Sequence, residues 1–205
     1  TTVDLIGAVP ETGFSTGDII SQFYLHPQDP TLAGTKFAQF SVDFERYKFH
    51  KVVVVYEPLC PATTAGGITQ VILDDPTTDV ANMAQNSRLK TLGGMTGAET
   101  SNVWEMGMCN LPPVNNQQAL FTDPNGSDAR MSIQGLYTLM AAADIAAGTT
   151  GNLFIMCDIE LQVPIQNQAT GPGSSARISD TTPNVGGGVR SSSFSSYLCL
   201  GMELS

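Results

Sequence analysis

The chain has 205 residues, 41% of them hydrophobic and only 14% charged, with nine Lys+Arg against nineteen Asp+Glu for a formal net charge of −10. Soluble chains average roughly 25% charged residues, so Ser, Thr, Asn, Gln and Gly must cover much of this surface, which excludes a charge-laced helical protein and a disordered acidic tail. The acidic balance argues against an isolated nucleic-acid-binding domain, because affinity for phosphate backbones comes from basic groups. No stretch approaches the roughly 18 to 20 apolar residues of a membrane span, and the opening TTVDLIG lacks the basic and apolar regions of a signal peptide, so the chain reads as soluble with no membrane partner.

The apolar segments are short, rich in Val, Ile, Phe and Thr, and bounded by Gly, Pro, Asn or Asp, which is the pattern of a β protein. Val3 to Val9 reads as a first strand closed by Pro10, and Asp18 to Leu25 as a second closed by HisProGlnAspPro. In Phe37 to Tyr47, aromatic residues recur every three or four positions, predicting a short helix. His50 to Tyr56 is a continuous apolar run, as in a strand buried on both faces, and Ile68 to Leu73 is another strand. Val80 to Leu89 reads as a second short helix with Asp79 at its N-cap. Lys90 to Leu111 is Gly-rich, with Val103-Trp104 its firmest strand signal. Ala129 to Ala142 carries apolar residues on one parity, a long strand. Asn152 to Pro164 alternates more cleanly, with Leu153, Ile155, Cys157, Ile159, Leu161 and Val163 on a core face and a mainly wet face opposite.

Residues 166–205 are Gly/Ser/Pro/Asn-rich until Leu198, Leu200, Met202 and Leu204 alternate, so they read as an extended C-terminal arm ending in a short terminal strand. Residues 1–165 hold eight or nine strands, two short helical insertions and no βαβ alternation. The fold class expected is all-β, an eight-stranded antiparallel jelly-roll sandwich.

Cys60, Cys109, Cys157 and Cys199 are widely spaced with no CxxC pair, which favours buried thiols over a zinc site or a disulfide framework. His26 and His50 lie in no nucleophile motif, and GxSxG, HExxH and P-loop patterns are missing, so no enzyme is expected. His26 before Pro27 reads as a turn residue and Trp104 as core or interface filler. AspProAsnGlySerAsp (123–128) lacks the spacing of an EF-hand and reads as a turn.

Two clusters carry chemistry. Asp74, Asp75 and Asp79 place three carboxylates within six residues at a strand end. Such neighbours raise one another's pKa and invite protons or a hard cation such as Ca²⁺; the alternative is Asp75 in a proline turn and Asp79 capping a helix. Lys36, Arg46, Lys48 and Lys51 form a basic island in an acidic chain, suited to subunit contacts with Asp43, Glu45 and Glu57, to packaged RNA, or to a solvated face of weak ion pairs.

LeuHisProGlnAspPro, PheAlaGlnPheSerValAspPheGluArgTyrLysPheHisLysValValValValTyrGluProLeuCysProAlaThrThrAlaGlyGly and the strand ending AspAspProThrThrAsp follow one another in an order that resembles the shell domain of tombusvirus-, sobemovirus- and nodavirus-like coat proteins. Glu45, Arg46, Tyr47, Lys48, Phe49, Tyr56, Pro58, Cys60, Pro61, Thr63, Thr64 and Gly66 stand where that family's pattern places them, and residues 151–164 are similar to its last shell strand. Leu73 stands where the family's first loop Asp falls if Asp75-Pro76 is aligned.

The resemblance implies a capsid protein of a small icosahedral positive-strand RNA virus. Many copies would self-assemble into a homo-oligomeric shell, with Ca²⁺ at subunit interfaces through Asp74, Asp75 and Asp79. It also implies localisation in the virion, assembly in the host cytoplasm, and RNA packaged mainly through a basic N-terminal arm that is not part of this sequence. The alternative from another class is a calcium-dependent carbohydrate-binding jelly-roll module using Trp104 as a sugar platform.

Overall fold

The computed structural model describes residues 1–10, 12–111, 118–123, 128–148 and 151–165, all within the compact unit Thr1–Asn167. The expected C-terminal arm and its terminal strand lie outside the described residues. In chain order the strands and α-helices are β1 (Thr2–Ala8), β2 (Ile19–Tyr24), α1 (Lys36–Ser41), β3 (Phe44–Pro58), β4 (Gly67–Leu73), α2 (Gln85–Gly93), β5 (Glu99–Asn102), β6 (Gly107–Asn110), β7 (Leu120–Phe121), β8 (Leu136–Ala143) and β9 (Gly151–Pro164). One sheet has the order β1-β9-β3-β6, with β7 also on β3, and the other the order β2-β8-β4-β5. Every pairing is antiparallel. Two four-strand orders of this kind make the all-β jelly-roll sandwich expected from the sequence, with two short helices inserted between strands. Among the described residues no helix is long and apolar enough to cross a membrane.

The main core lies between the sheets. It takes Val52, Val54 and Tyr56 from β3, Tyr137, Leu139 and Ala141 from β8, and Leu153, Ile155 and Cys157 from β9. A second cluster, Val71, Leu73, Val80, Leu92, Leu136 and Met140, lies where α2 and the segment before it cover the outer face of the β2-β8-β4-β5 sheet. This double burial explains why β4 is buried along its whole length and β8 along most of it.

Both helices differ from their sequence signals. The aromatic spacing predicts a helix to Tyr47, but α1 ends at Ser41, whose hydroxyl donates back to the Ala38 carbonyl at 2.7 Å, an alternative to continued helix. Phe40 is 65% exposed, so the stripe is not one helical face. From Phe44 onward, pairing with β9 takes over and buries Tyr47 and Phe49 at a strand's period of two. The second helix starts at Gln85, not Val80. The carbonyls of Val80, Ala81 and Met83 instead accept from the Arg88 guanidinium.

Two strand readings also shift. Val103-Trp104 is the turn between β5 and β6. Residues 129–131 form a 3-10 turn capped by Asp128, and strand begins only at Leu136. The Gln134 side chain fixes that entry, accepting from the Phe49 N–H and donating to the Phe49 carbonyl, each at 2.9 Å.

Candidate functional site

The loop leaving β4 carries the carboxylates. Leu73 ends the strand buried, and Asp74 and Asp75 follow at the rim of a cleft of about 320 Å³ whose lining includes Gln118, Arg130 and Gln134. Asp75 Oδ1 accepts from the Thr77 N–H at 3.0 Å and the Thr77 hydroxyl at 2.6 Å, and Oδ2 accepts from Arg130 at 3.3 Å. These hydrogen bonds, Thr77's first and then Arg130's with its charge, hold the Asp75 carboxyl below its ordinary range. The mutual raising expected of clustered acids does not dominate at Asp75, because donors to the charged form outweigh like-charge repulsion there.

Asp79 is not among the cleft's lining residues. Its Oδ1 accepts from the Asn82 N–H at 3.2 Å and its Oδ2 from the Asn82 amide at 2.5 Å, a local turn ahead of the helix; the N-cap of α2 is Ala84. Among the described residues no three His, Cys, Asp or Glu side chains converge on a point that would hold a metal ion. Arg130 supplies the positive charge beside Asp75.

The basic residues divide. Lys36 is exposed at the first position of α1. Arg46, Lys48 and Lys51 lie on the outer face of β3, opposite Gln162, Glu160 and Asp158 of β9. His50 adds a contact of 2.8 Å to Glu160, whose carboxyl is lowered by the Gln162 amide first and His50 second. Arg46 also stands over the Phe121 ring, 4.8 Å from its centroid. Lys48 and Lys51 thus stand opposite carboxylates across the two strands, and Arg46 opposite an amide.

Cys60, Cys109 and Cys157 are free thiols, the last two buried, and Cys199 lies outside the described residues. Burial pushes the Cys109 thiol up to about 12, which makes it unreactive at neutral pH. His26 is the turn residue its sequence suggests: it is 2% exposed and its Nδ1 accepts from the Gln28 N–H at 3.0 Å. Trp104 packs, partly buried, against the main core. Of the 123–128 turn, only Asp123 and Asp128 are described, and Asp128 caps the 3-10 turn.

Sequence reasoning missed two arginines. Arg88 is 8% exposed and donates to four carbonyls, those of Val80, Ala81, Met83 and Gly17, the last at 2.6 Å. Arg130 pairs with an aspartate 55 positions away, and no local pattern announces such a partner.

Residues 6–167 match the family model described as viral coat protein (S domain). No curated protein sequence is significantly similar to the chain. Among solved structures, the chain resembles the semi-empty virus-like particle of giant freshwater prawn Macrobrachium rosenbergii nodavirus at 22% identity and a TM-score of 0.72, covering 80% of this chain and 82% of that one. It also resembles the T=1 subviral particle of a Penaeus vannamei nodavirus capsid protein deletion mutant, at 23% identity and a TM-score of 0.72, covering 81% and 97%. Mud crab tombus-like virus follows at 21% identity and a TM-score of 0.69, covering 80% and 87%. Sequence order, sheet order and family model converge: the chain belongs to the viral coat protein family, with an S domain spanning residues 6–167.

Proposed function

We propose that copies of this chain close into an icosahedral shell around an RNA genome, assembled in the host cytoplasm and retained in the virion. The observation that carries this reading is the jelly-roll sheet order within the coat-family segment. A comparable piece suffices elsewhere: the Penaeus vannamei nodavirus capsid protein lacking its residues 1–37 and 251–368 forms a T=1 subviral particle. RNA is taken up mainly by a basic arm outside residues 1–205, since Lys48 and Lys51 already stand opposite the carboxylates of Glu160 and Asp158 on β9. Negative-stain microscopy of the purified chain is expected to show closed particles. A monodisperse monomer under every assembly condition overturns the reading.

Calcium enters this reading as an ion shared between copies. Asp74 and Asp75 face the cleft while Asp79 is taken by Asn82, so the remaining oxygen ligands come from a neighbouring copy. Chelation at mildly alkaline pH is then expected to loosen wild-type particles, and Asp75→Asn particles are expected to be loose before chelation. Equal behaviour of the two with and without chelator removes calcium from the account.

A further inference from the structure

Helix α1 carries its charges at the wrong ends for its own stability. Lys36 opens the helix and Asp43 follows its last turn, where the Asp43 N–H still reaches the Phe40 carbonyl at 3.5 Å. A helix is positive at its start and negative at its end, so a cation first and an anion last both work against it. Helices are normally charged the other way round. Among the described residues neither side chain gains an ion pair in return. Local rules broken without compensation mark positions that serve something outside the chain.

The same helix exposes a large apolar side chain between those charges. Lys36, Phe40 and Asp43 stand at i, i+4 and i+7, the spacing of one stripe along a helix, and Phe40 is 65% exposed. On the other side Phe37, Ala38 and Ser41 are buried. Beside the exposed stripe lies a shallow groove of about 530 Å³ lined by Pro27, Gln28, Ala33, Ala38, Gln39 and Val42. The helix beneath is firmly held. Thr35 caps it, its hydroxyl accepting from the Ala38 N–H at 3.3 Å and donating to the Leu32 carbonyl at 2.7 Å, while the Phe37 ring meets Phe49 edge-on with centroids 5.7 Å apart. A surface already ordered loses little further freedom on contact.

We propose that α1 packs antiparallel against α1 of a second copy across a two-fold axis. The proposal rests on the shell reading above and assigns one of its contacts. Lys36 and Asp43 are equally far along the helix from the level between Gln39 and Phe40, about 5 Å on either side. An axis crossing at that level lays each Lys36 on the other copy's Asp43, twice per contact, and brings the two Phe40 rings side by side between the pairs. Reciprocity of this kind is what a two-fold contact requires. It also answers the misplaced charges, because each lysine meets the negative end of the other helix and each aspartate the positive end. An axis along the helix would set lysine on lysine and aspartate on aspartate. Six helical residues give a contact about 9 Å long, covering far less than the roughly 800 Å² each partner buries in a standard interface. One such contact is weak, and many copies closing together make it sufficient.

Carbodiimide coupling of an equal mixture of unlabelled and isotope-labelled full chains tests the pairing. Lys36–Asp43 peptides of mixed label are expected. Coupling only within a chain, no coupling, or Lys36 coupled to Asp180 or Glu203 of the terminal segment overturns the proposal. Lys36→Glu and Asp43→Lys are each expected to raise the concentration needed for association about tenfold, since each turns two attractive pairs repulsive. Both substitutions suit the helix dipole, so melting temperatures of the lone chain are expected to hold or rise. The double reversal, and an equal mixture of the two single variants, are expected to associate near the wild-type concentration. A mixture as weak as its components also overturns the contact. Phe40→Ser alters an exposed position and is expected to weaken association without lowering the melting temperature. Particles that form at the wild-type concentration from all three single variants refute the contact and leave the shell reading standing. Linked dimers without closed particles refute the shell and keep the contact.

Discussion

Arg88 shows how much one side chain can organise. Its guanidinium is nearly buried and, among the described residues, meets four backbone carbonyls and no carboxylate, so it acts as a cap for a segment that would otherwise carry orphaned acceptors. Arg88→Ala is expected to cost about 3 kcal/mol by chemical denaturation, and Lys to recover little of it, since one ammonium cannot span the fork. His26 works in the opposite sense. Burial holds its pKa below the ordinary 6.5, only partly offset by the Phe121 backbone and the carboxylates of Asp29 and Asp123. The unfolded chain therefore binds the proton more readily, so stability is fully present above about 6.5 and falls as pH drops through that value toward the depressed one. Melting curves between pH 7.5 and pH 5 are expected to show this loss, and His26→Phe to flatten it.

Among elements, the entry to β8 is the tightest. A Cβ on Gly135 would stand 2.7 Å from the Leu73 carbonyl oxygen, which is backbone and cannot turn aside. Gly135→Ala is expected to destabilise by about 2 kcal/mol, read from the denaturation midpoint, while Gly34→Ala, where nothing lies within 4 Å, leaves it unchanged. The strands with strict alternation were legible in advance: β9 alternates as its sequence does because one sheet face is core and the other is not. The helices were legible as insertions but not in their limits. Their ends are set by partners far along the chain, β9 for α1 and Gly17 for Arg88, and periodicity carries no information about those. The carboxylate loop was legible as a cluster, yet its actual partner, Arg130, comes from the turn before β8. In β3 a bulge between Phe49 and Lys51 shifts the pairing. It turns Val52 and Val54 inward and Val53 and Val55 outward, a choice that four identical side chains cannot announce.

At the scale of the molecule, a coat protein is a structural protein and the chain is no enzyme. Its net charge of −10 sets neighbouring copies against one another. Raising ionic strength from about 0.05 M to about 0.5 M shortens the screening length from about 14 Å to about 4 Å. Exposed ion pairs are worth under about 1 kcal/mol each, so relief of the net repulsion wins. Light scattering of the nucleic-acid-free chain is expected to show association strengthening with salt. Association that weakens with salt would indicate a contact dominated by attraction between opposite charges, as in binding to phosphate backbones.

Among the described residues, helical cover lies over the β2-β8-β4-β5 sheet, and that side is the subunit's back. Gly93, where a Cβ would have nothing within 4 Å, and its neighbour Gly94 close α2 on the covered side. A short peptide spliced between them would ride on the back of every subunit. An antibody to that peptide should bind the folded chain, and the coat protein could carry a foreign sequence without either core cluster giving up a side chain.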